Sequence, residues 1–106
     1  MTKKQIDLKL HELRITAGGY NVILRTKRYV ETDRVAIVGV LWDGVPAFTL
    51  TVNIPEVKIK AGEIIVKTWS ENERIAKDLL QSGLFEDTGR RIPTVFVKAQ
   101  VWKVKP

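Results

Sequence analysis

The chain has 106 residues and a formal net charge of +6, and 44% of its residues are hydrophobic. This length suits one domain with a modest core, and the lack of cysteine excludes disulfides, thiolate metal sites and thiol catalysis. The N-terminal stretch is charged throughout and contains no apolar h-region, so we expect no signal peptide there, and no apolar run approaches the ~18 residues of a membrane span. We therefore expect a cytoplasmic domain with no membrane partner.

The first predicted elements surround Gly18-Gly19, a pair suited to a tight turn. Residues 4–15 fit either a strand or one face of a helix, because their apolar positions match both periods. Folding back at the glycines favours a hairpin, since it creates two apolar pairs and one ion pair. These pairs are Leu13 with Leu24, Ile15 with Val22, and Glu12 with Arg25.

A second hairpin is predicted from Asp43-Gly44, which separates two β-rich runs at residues 35–42 and 45–52. A two-residue turn there sets Gly39 opposite Phe48, whose ring can cover the bare glycine backbone. One face of this hairpin is wholly apolar, so strand 35–42 is expected to be central in its sheet. The other face is only partly apolar and contains Trp42, a candidate protein interface.

A strand at 63–69 and a helix at about 71–82 follow. Ser70 and Glu73 match a capping box at the start of this helix, and Gly83 is the expected left-handed residue after its end. Residues 86–93 are predicted to be a turn-rich loop, and residues 95–104 to be the last strand. Together these elements predict an α+β fold, with a mostly antiparallel sheet of five or six strands packed on one main helix.

The basic residues concentrate at the two ends of the chain. Residues 1–28 have seven basic and two acidic side chains, and residues 89–106 have five basic and no acidic ones. If the ends meet, they form a positive surface that attracts polyanions. The last predicted strand has lysines beside Trp102, and basic side chains next to an aromatic ring are how many β-sheets bind single-stranded nucleic acid. The candidate polyanion-binding residues are Arg25, Lys27, Arg28, Arg90, Arg91, Lys98, Trp102 and Lys103.

The sequence contains no recognisable catalytic or metal-binding motif. Glu71, Glu73 and Asp87 could form a carboxylate cluster, but capping already explains Glu73. His11 is the only histidine, whereas metal sites and catalytic triads need several positioned partners. We therefore expect no enzymatic activity, no metal and no cofactor.

Three strings resemble a family of small bacterial proteins of unknown function that is met on conjugative elements, plasmids and phage-like regions. They are LTVNIP at 50–55, VKTWSENE at 66–73, and GLFEDTGRRIPT at 83–94 followed by FV at 96–97. The resemblance covers roughly residues 30–102. It implies a cytoplasmic accessory protein of a mobile element and supplies no site residues.

Two functional hypotheses follow from the sequence. The first is a non-enzymatic accessory binding protein of a bacterial mobile element, whose basic face contacts nucleic acid or a nucleic-acid complex. The alternative is a protein–protein module, such as an inhibitor of a host or defence factor, that binds through Trp42.

Overall fold

The structure, a computed structural model, describes residues 1–95 and 97–106. In these ranges the chain forms two α-helices, seven strands and one 3-10 turn. They are α1 (Lys3–Leu10), β1 (Arg14–Ala17), β2 (Tyr20–Arg28), β3 (Val35–Val40), β4 (Pro46–Thr49), β5 (Glu63–Val66), the 3-10 turn (Ser70–Asn72), α2 (Glu73–Gln81), β6 (Phe85–Pro93) and β7 (Lys98–Val104).

The α+β class is confirmed, but the strands form two antiparallel sheets instead of one sheet of five or six strands, and the described residues form two short helices, α1 and α2, instead of one main helix. The first sheet has the order β1-β2-β3-β4 and the second the order β5-β7-β6. The chain just after β4 links them, because Thr51 bridges Val66 and the Val52 amide donates to the Ile65 carbonyl at 3.0 Å. A sequence pattern identifies strands but does not say where one sheet stops, so the single-sheet prediction was wrong.

The first hairpin has the predicted register. Ile15 pairs with Val22, and Arg25 Nε lies 3.0 Å from Glu12 Oε1. The ambiguous segment before it divides in two, since α1 ends at Leu10 and β1 begins at Arg14. Thr2 caps α1 through a capping box with Gln5, so this end of the chain begins as a helix.

The second hairpin has the predicted register near its centre and a wider turn. Gly39 pairs with Phe48, and a bulge then sets Val40 opposite Pro46. The Leu41 amide donates to the Val45 carbonyl, so three residues form the turn, and Gly44 ends it with φ +86°. A type I turn followed by a left-handed glycine produces this bulged form. As predicted, β3 lies inside its sheet, between β2 and β4.

The predicted capping box at Ser70 was wrong. Ser70 has φ +58° and begins a 3-10 turn, and α2 starts only at Glu73. The buried Asn72 amide holds this turn, because Nδ2 donates to the carbonyls of Thr49 at 2.7 Å and Lys67 at 3.1 Å. No helix in residues 1–95 and 97–106 is long and apolar enough to cross a membrane.

The C-terminal third is a hairpin of two strands. Residues 86–93 were predicted to be a loop but belong to β6, a largely exposed edge strand paired with β7. Gly83 has φ +83° just after α2, as predicted. The predicted strand 95–104 begins at Lys98, and Phe96 lies outside the described residues.

The main core lies between the two sheets and the two helices. Its largest fully buried side chains include Trp102 and Phe85, whose ring centroids are 5.5 Å apart. Both helices bury apolar side chains in this core, such as Leu10 of α1 and Leu79 of α2. A smaller cluster on the other side of the second sheet packs against residues 52–59. The second sheet is thus packed on both faces, whereas the first sheet contributes one face to the main core, through residues such as Leu24 and Ile37.

Candidate functional site

The outward side of the first sheet is the strongest candidate surface, and we call it the open face. In an antiparallel sheet, directly opposed residues share a face and alternate residues change face. Register places Arg14, Ile23 and Val40 in one row across the sheet, and Arg25 beside Val38 in the next. The open face consists of Arg14, Ile23, Arg25, Lys27, Val38, Val40 and the adjoining Trp42.

The two sides of β2 differ sharply in burial. Val22 and Leu24 point into the main core and are buried, whereas Ile23 between them is only half-buried. Val38 and Val40 are also half-buried. In the described part of the chain, both helices contribute their buried side chains to the main core. The centre of the open face is therefore aliphatic and accessible.

One end of the open face is bordered by a loop. The Arg34 guanidinium donates to the carbonyls of Ile54 and Val57, which brings residues 54–57 to the start of β3. Ala36, on the open side of that end of β3, is buried. Accessible surface is thus concentrated toward the other end, near the hairpin turn that contains Trp42.

Trp42 has 89% of its surface exposed. It borders a shallow hollow whose other lining residues include Arg14, Thr16, Asn21 and Ile23. Within the hollow the Thr16 hydroxyl donates to Asn21 Oδ1 at 2.7 Å. An exposed indole, an aliphatic floor and a polar pair therefore meet at one place.

The charge of the open face comes from three cations. Arg25 Nε lies 3.0 Å from Glu12 Oε1, so its charge is largely compensated. Arg14 and Lys27 are exposed, and neither has an acidic partner within salt-bridge distance among the described residues. These two cations are available to an anionic ligand.

Three of the predicted polyanion-binding arginines are occupied by other groups. Arg28 donates to both carboxylate oxygens of Asp7, at 3.1 and 2.7 Å, and these hydrogen bonds lower the pKa of Asp7. Arg91 binds Asp87 in the same bidentate way, at 2.8 and 2.7 Å, which lowers the pKa of Asp87. Arg90 donates to the Lys58 carbonyl.

The candidates on β7 lie on the second sheet, away from Arg25 and Lys27. Lys98 is exposed, and Lys103 stands in register with Glu63 on one neighbouring strand and Glu86 on the other. Trp102 is 0% exposed and packs in the main core, so it is not available to a polyanion. The ends of the chain do touch, because Lys9 Nζ donates to the carbonyls of Lys105 and Pro106.

Of the three carboxylates considered for acid–base chemistry, two border the same hollow and Asp87 does not. Glu71 binds Lys67 at 2.5 Å, a hydrogen bond that lowers the pKa of Glu71 to about 2. Glu71 and Glu73 border one shallow hollow with Arg74 and Lys77, whereas Asp87 is held by Arg91. His11 Nδ1 accepts the Thr26 amide at 3.0 Å. Within the described ranges, no group of three His, Cys, Asp or Glu side chains is placed to hold a metal ion.

Sequence reasoning missed Arg14, Thr16, Asn21 and Ile23 as neighbours of Trp42. The signal was present in the first hairpin, because its register already sets Arg14 opposite Ile23 and Thr16 opposite Asn21. What linked this hairpin to Trp42 was the pairing of β2 with β3.

No protein-family model matches the chain, and no curated protein or solved structure is significantly similar to it.

Proposed function

We propose that this protein is a non-enzymatic accessory binding protein of a bacterial mobile element. It acts in the cytoplasm and contacts nucleic acid, alone or within a complex, through the open face. The observation that carries the proposal is Trp42, which is 89% exposed and adjoins the sheet face of Arg14 and Lys27. Neither cation has an acidic partner among residues 1–95 and 97–106.

Each part of the open face matches one part of a nucleic-acid strand. Arg14 and Lys27 are suited to phosphates, because guanidinium and ammonium groups bind them and release counterions. The Trp42 ring is suited to a base, since stacking on an aromatic side chain contributes about 1–3 kcal/mol per base. A base stacked there also removes apolar surface of the ring from water.

The spacing of the two cations suits a polymer better than a small anion. Arg14 stands opposite Ile23, and Lys27 is four residues farther along β2. At about 3.3 Å per residue, the two positions are about 13 Å apart along the strand. A stacked strand rises about 3.4 Å per nucleotide, so this separation spans about four nucleotides.

Fluorescence anisotropy with labelled oligonucleotides tests the proposal. We expect the wild type to bind at low salt and affinity to fall linearly on a log–log plot against salt concentration. The double charge reversal Arg14→Glu/Lys27→Glu should abolish binding. A matched reversal on the second sheet, Lys98→Glu/Lys103→Glu, should leave most of it. Absence of binding at low salt, or equal losses in the two variants, would contradict the proposal.

The alternative function is a protein–protein module, such as an inhibitor of a host or defence factor. It is favoured by the apolar surface next to the hairpin turn, where Trp42 and the 52% exposed Val45 stand close in sequence. Exposed aromatic side chains are frequent anchors of protein interfaces. This alternative would be selected if Trp42→Ala abolished binding to a purified protein partner and if neither the wild type nor this variant bound nucleic acid.

A further inference from the structure

We infer that the hollow beside Trp42 is a subsite for one unpaired nucleobase, which stacks on the indole with its polar edge toward Thr16 and Asn21. This inference rests on the proposed function and adds to it. It specifies that the ligand is single-stranded nucleic acid and that one end of the open face contacts a base.

The lining of the hollow has the polarity that a base requires. Trp42 supplies an exposed aromatic surface, and half-buried Ile23 supplies an apolar floor. The hollow has a volume of about 510 Å³, within the ordinary range of small-ligand sites. Arg14 is the charged residue of its lining. A base can therefore enter the hollow while an adjoining phosphate meets the guanidinium.

The polar pair in the hollow has hydrogen-bonding capacity left for a base edge. The Thr16 hydroxyl uses its proton to bond Asn21 Oδ1, so its oxygen still accepts. Asn21 Nδ2 has two hydrogens, and in the described part of the chain its side chain bonds only to Thr16. An amide donor and a hydroxyl acceptor side by side match bases that present an acceptor next to a donor.

A duplex fits the same hollow poorly. Its bases are stacked and paired, so the indole could reach a base face only after unstacking, which costs a few kcal/mol per step. A single strand presents its bases without that cost. Charge alone does not separate the two forms, because both have phosphates for Arg14 and Lys27.

The test compares three probes of equal length in anisotropy titrations: a single-stranded oligonucleotide, its duplex, and a single strand with abasic sites throughout. We expect the wild type to bind the base-containing single strand at least tenfold more tightly than the abasic strand. Trp42→Ala should remove this ratio, and Trp42→Phe should keep part of it. Val45→Ala, an exposed apolar neighbour in sequence, is the matched control and should leave the ratio unchanged.

The outcomes separate this inference from the proposed function. Salt-sensitive binding of all three probes with equal affinity would overturn the base subsite and leave the nucleic-acid proposal standing. No binding of any probe would overturn both. A ratio that survives Trp42→Ala would place base contact elsewhere on the molecule and refute the assignment of the hollow.

A second variant tests the polar edge by itself. We expect the wild type to rank homopolymer single strands of the four bases unequally, and Thr16→Val/Asn21→Ala to reduce those differences. Affinity for the abasic strand should stay the same in this variant, because neither residue is assigned to phosphate. Unchanged ranking would show that the pair does not face the base and would overturn this part of the inference.

Discussion

Asn72 is expected to stabilise the junction between the two sheets. Asn72 is 1% exposed, and its Nδ2 donates to the carbonyl of Thr49, the last residue of β4, and to the carbonyl of Lys67, just after β5. Asn72→Ala removes both hydrogen bonds and leaves two partly buried acceptors without this donor. The first sheet and the segment leading to α2 lose their shared side-chain link.

The expected loss follows from these two bonds. A buried acceptor left without its donor costs about 1–3 kcal/mol, so two of them would cost about 2–6 kcal/mol. Asn72 Oδ1 is buried without a partner in the described residues, and its desolvation cost disappears with the mutation. We therefore expect the free energy of unfolding to fall by about 2 kcal/mol, at the lower end of that range.

Urea denaturation followed by circular dichroism measures this change. With a slope of about 2 kcal/mol per molar urea, the midpoint should fall by about 1 M, and the slope should stay constant. Asn21→Ala is the matched control, since Asn21 is exposed and surface substitutions usually stay within about 0.5 kcal/mol. A loss for Asn72→Ala no larger than for this control would refute the role assigned to the two bonds.

Three further predictions concern packing, acid stability and the open face. In Gly39→Ala the new Cβ would lie 2.4 Å from the Phe48 ring, so unfolding experiments should show a loss of about 1–3 kcal/mol. That loss should shrink in a Phe48→Leu background. Arg28 lowers the pKa of Asp7, so their pair stabilises the fold above the ordinary carboxyl pKa, 3.8, and this contribution disappears as pH falls through the lowered value. Thermal melts of Asp7→Asn between about pH 2 and pH 5 should therefore show a shallower acid-induced decline than the wild type. Trp42→Ala should change the thermal midpoint little, because the ring is 89% exposed; a large decrease would mean that the ring stabilises the fold.

Both hairpins of the first sheet were predictable because their signals are local. Gly18-Gly19 and Asp43-Gly44 mark turns, and the residues flanking each turn meet without distant partners. The pairing of Gly39 with Phe48 followed from that geometry. The wider second turn could not be read from Asp-Gly alone, since this pair also suits a three-residue turn with glycine last.

The same capping-box pattern occurs before both helices, but it forms a capping box only at the first one. Thr2 with Gln5 and Ser70 with Glu73 both match a capping box, and only the first forms one. Thr2 has extended backbone angles, as a cap requires, whereas Ser70 has φ +58°. At the second helix the hydrogen bonds of Asn72 to two distant carbonyls organise the turn instead.

β6 was not recognisable in the sequence because residues 86–91 include no apolar side chain. A half-buried strand shows apolar alternation, but most of this edge strand is exposed, so the pattern is missing. It is a strand because β7 lies beside it and pairs with its backbone. Pairing between segments depends on the tertiary fold and leaves little trace in side-chain periodicity.

The sequence by itself determined the α+β class, the two hairpins of the first sheet and the clustering of basic residues at the chain ends. Only the tertiary structure decided which aromatic side chain is available to a ligand. Trp102 and Trp42 both lie on or beside a strand near basic residues, yet Trp102 is buried and Trp42 is exposed. Alternation along a strand assigns a side chain to a face, but burial depends on whether another layer covers that face. The outward face of the first sheet is uncovered around Trp42 in the described residues, so the candidate site lies there and not at Trp102.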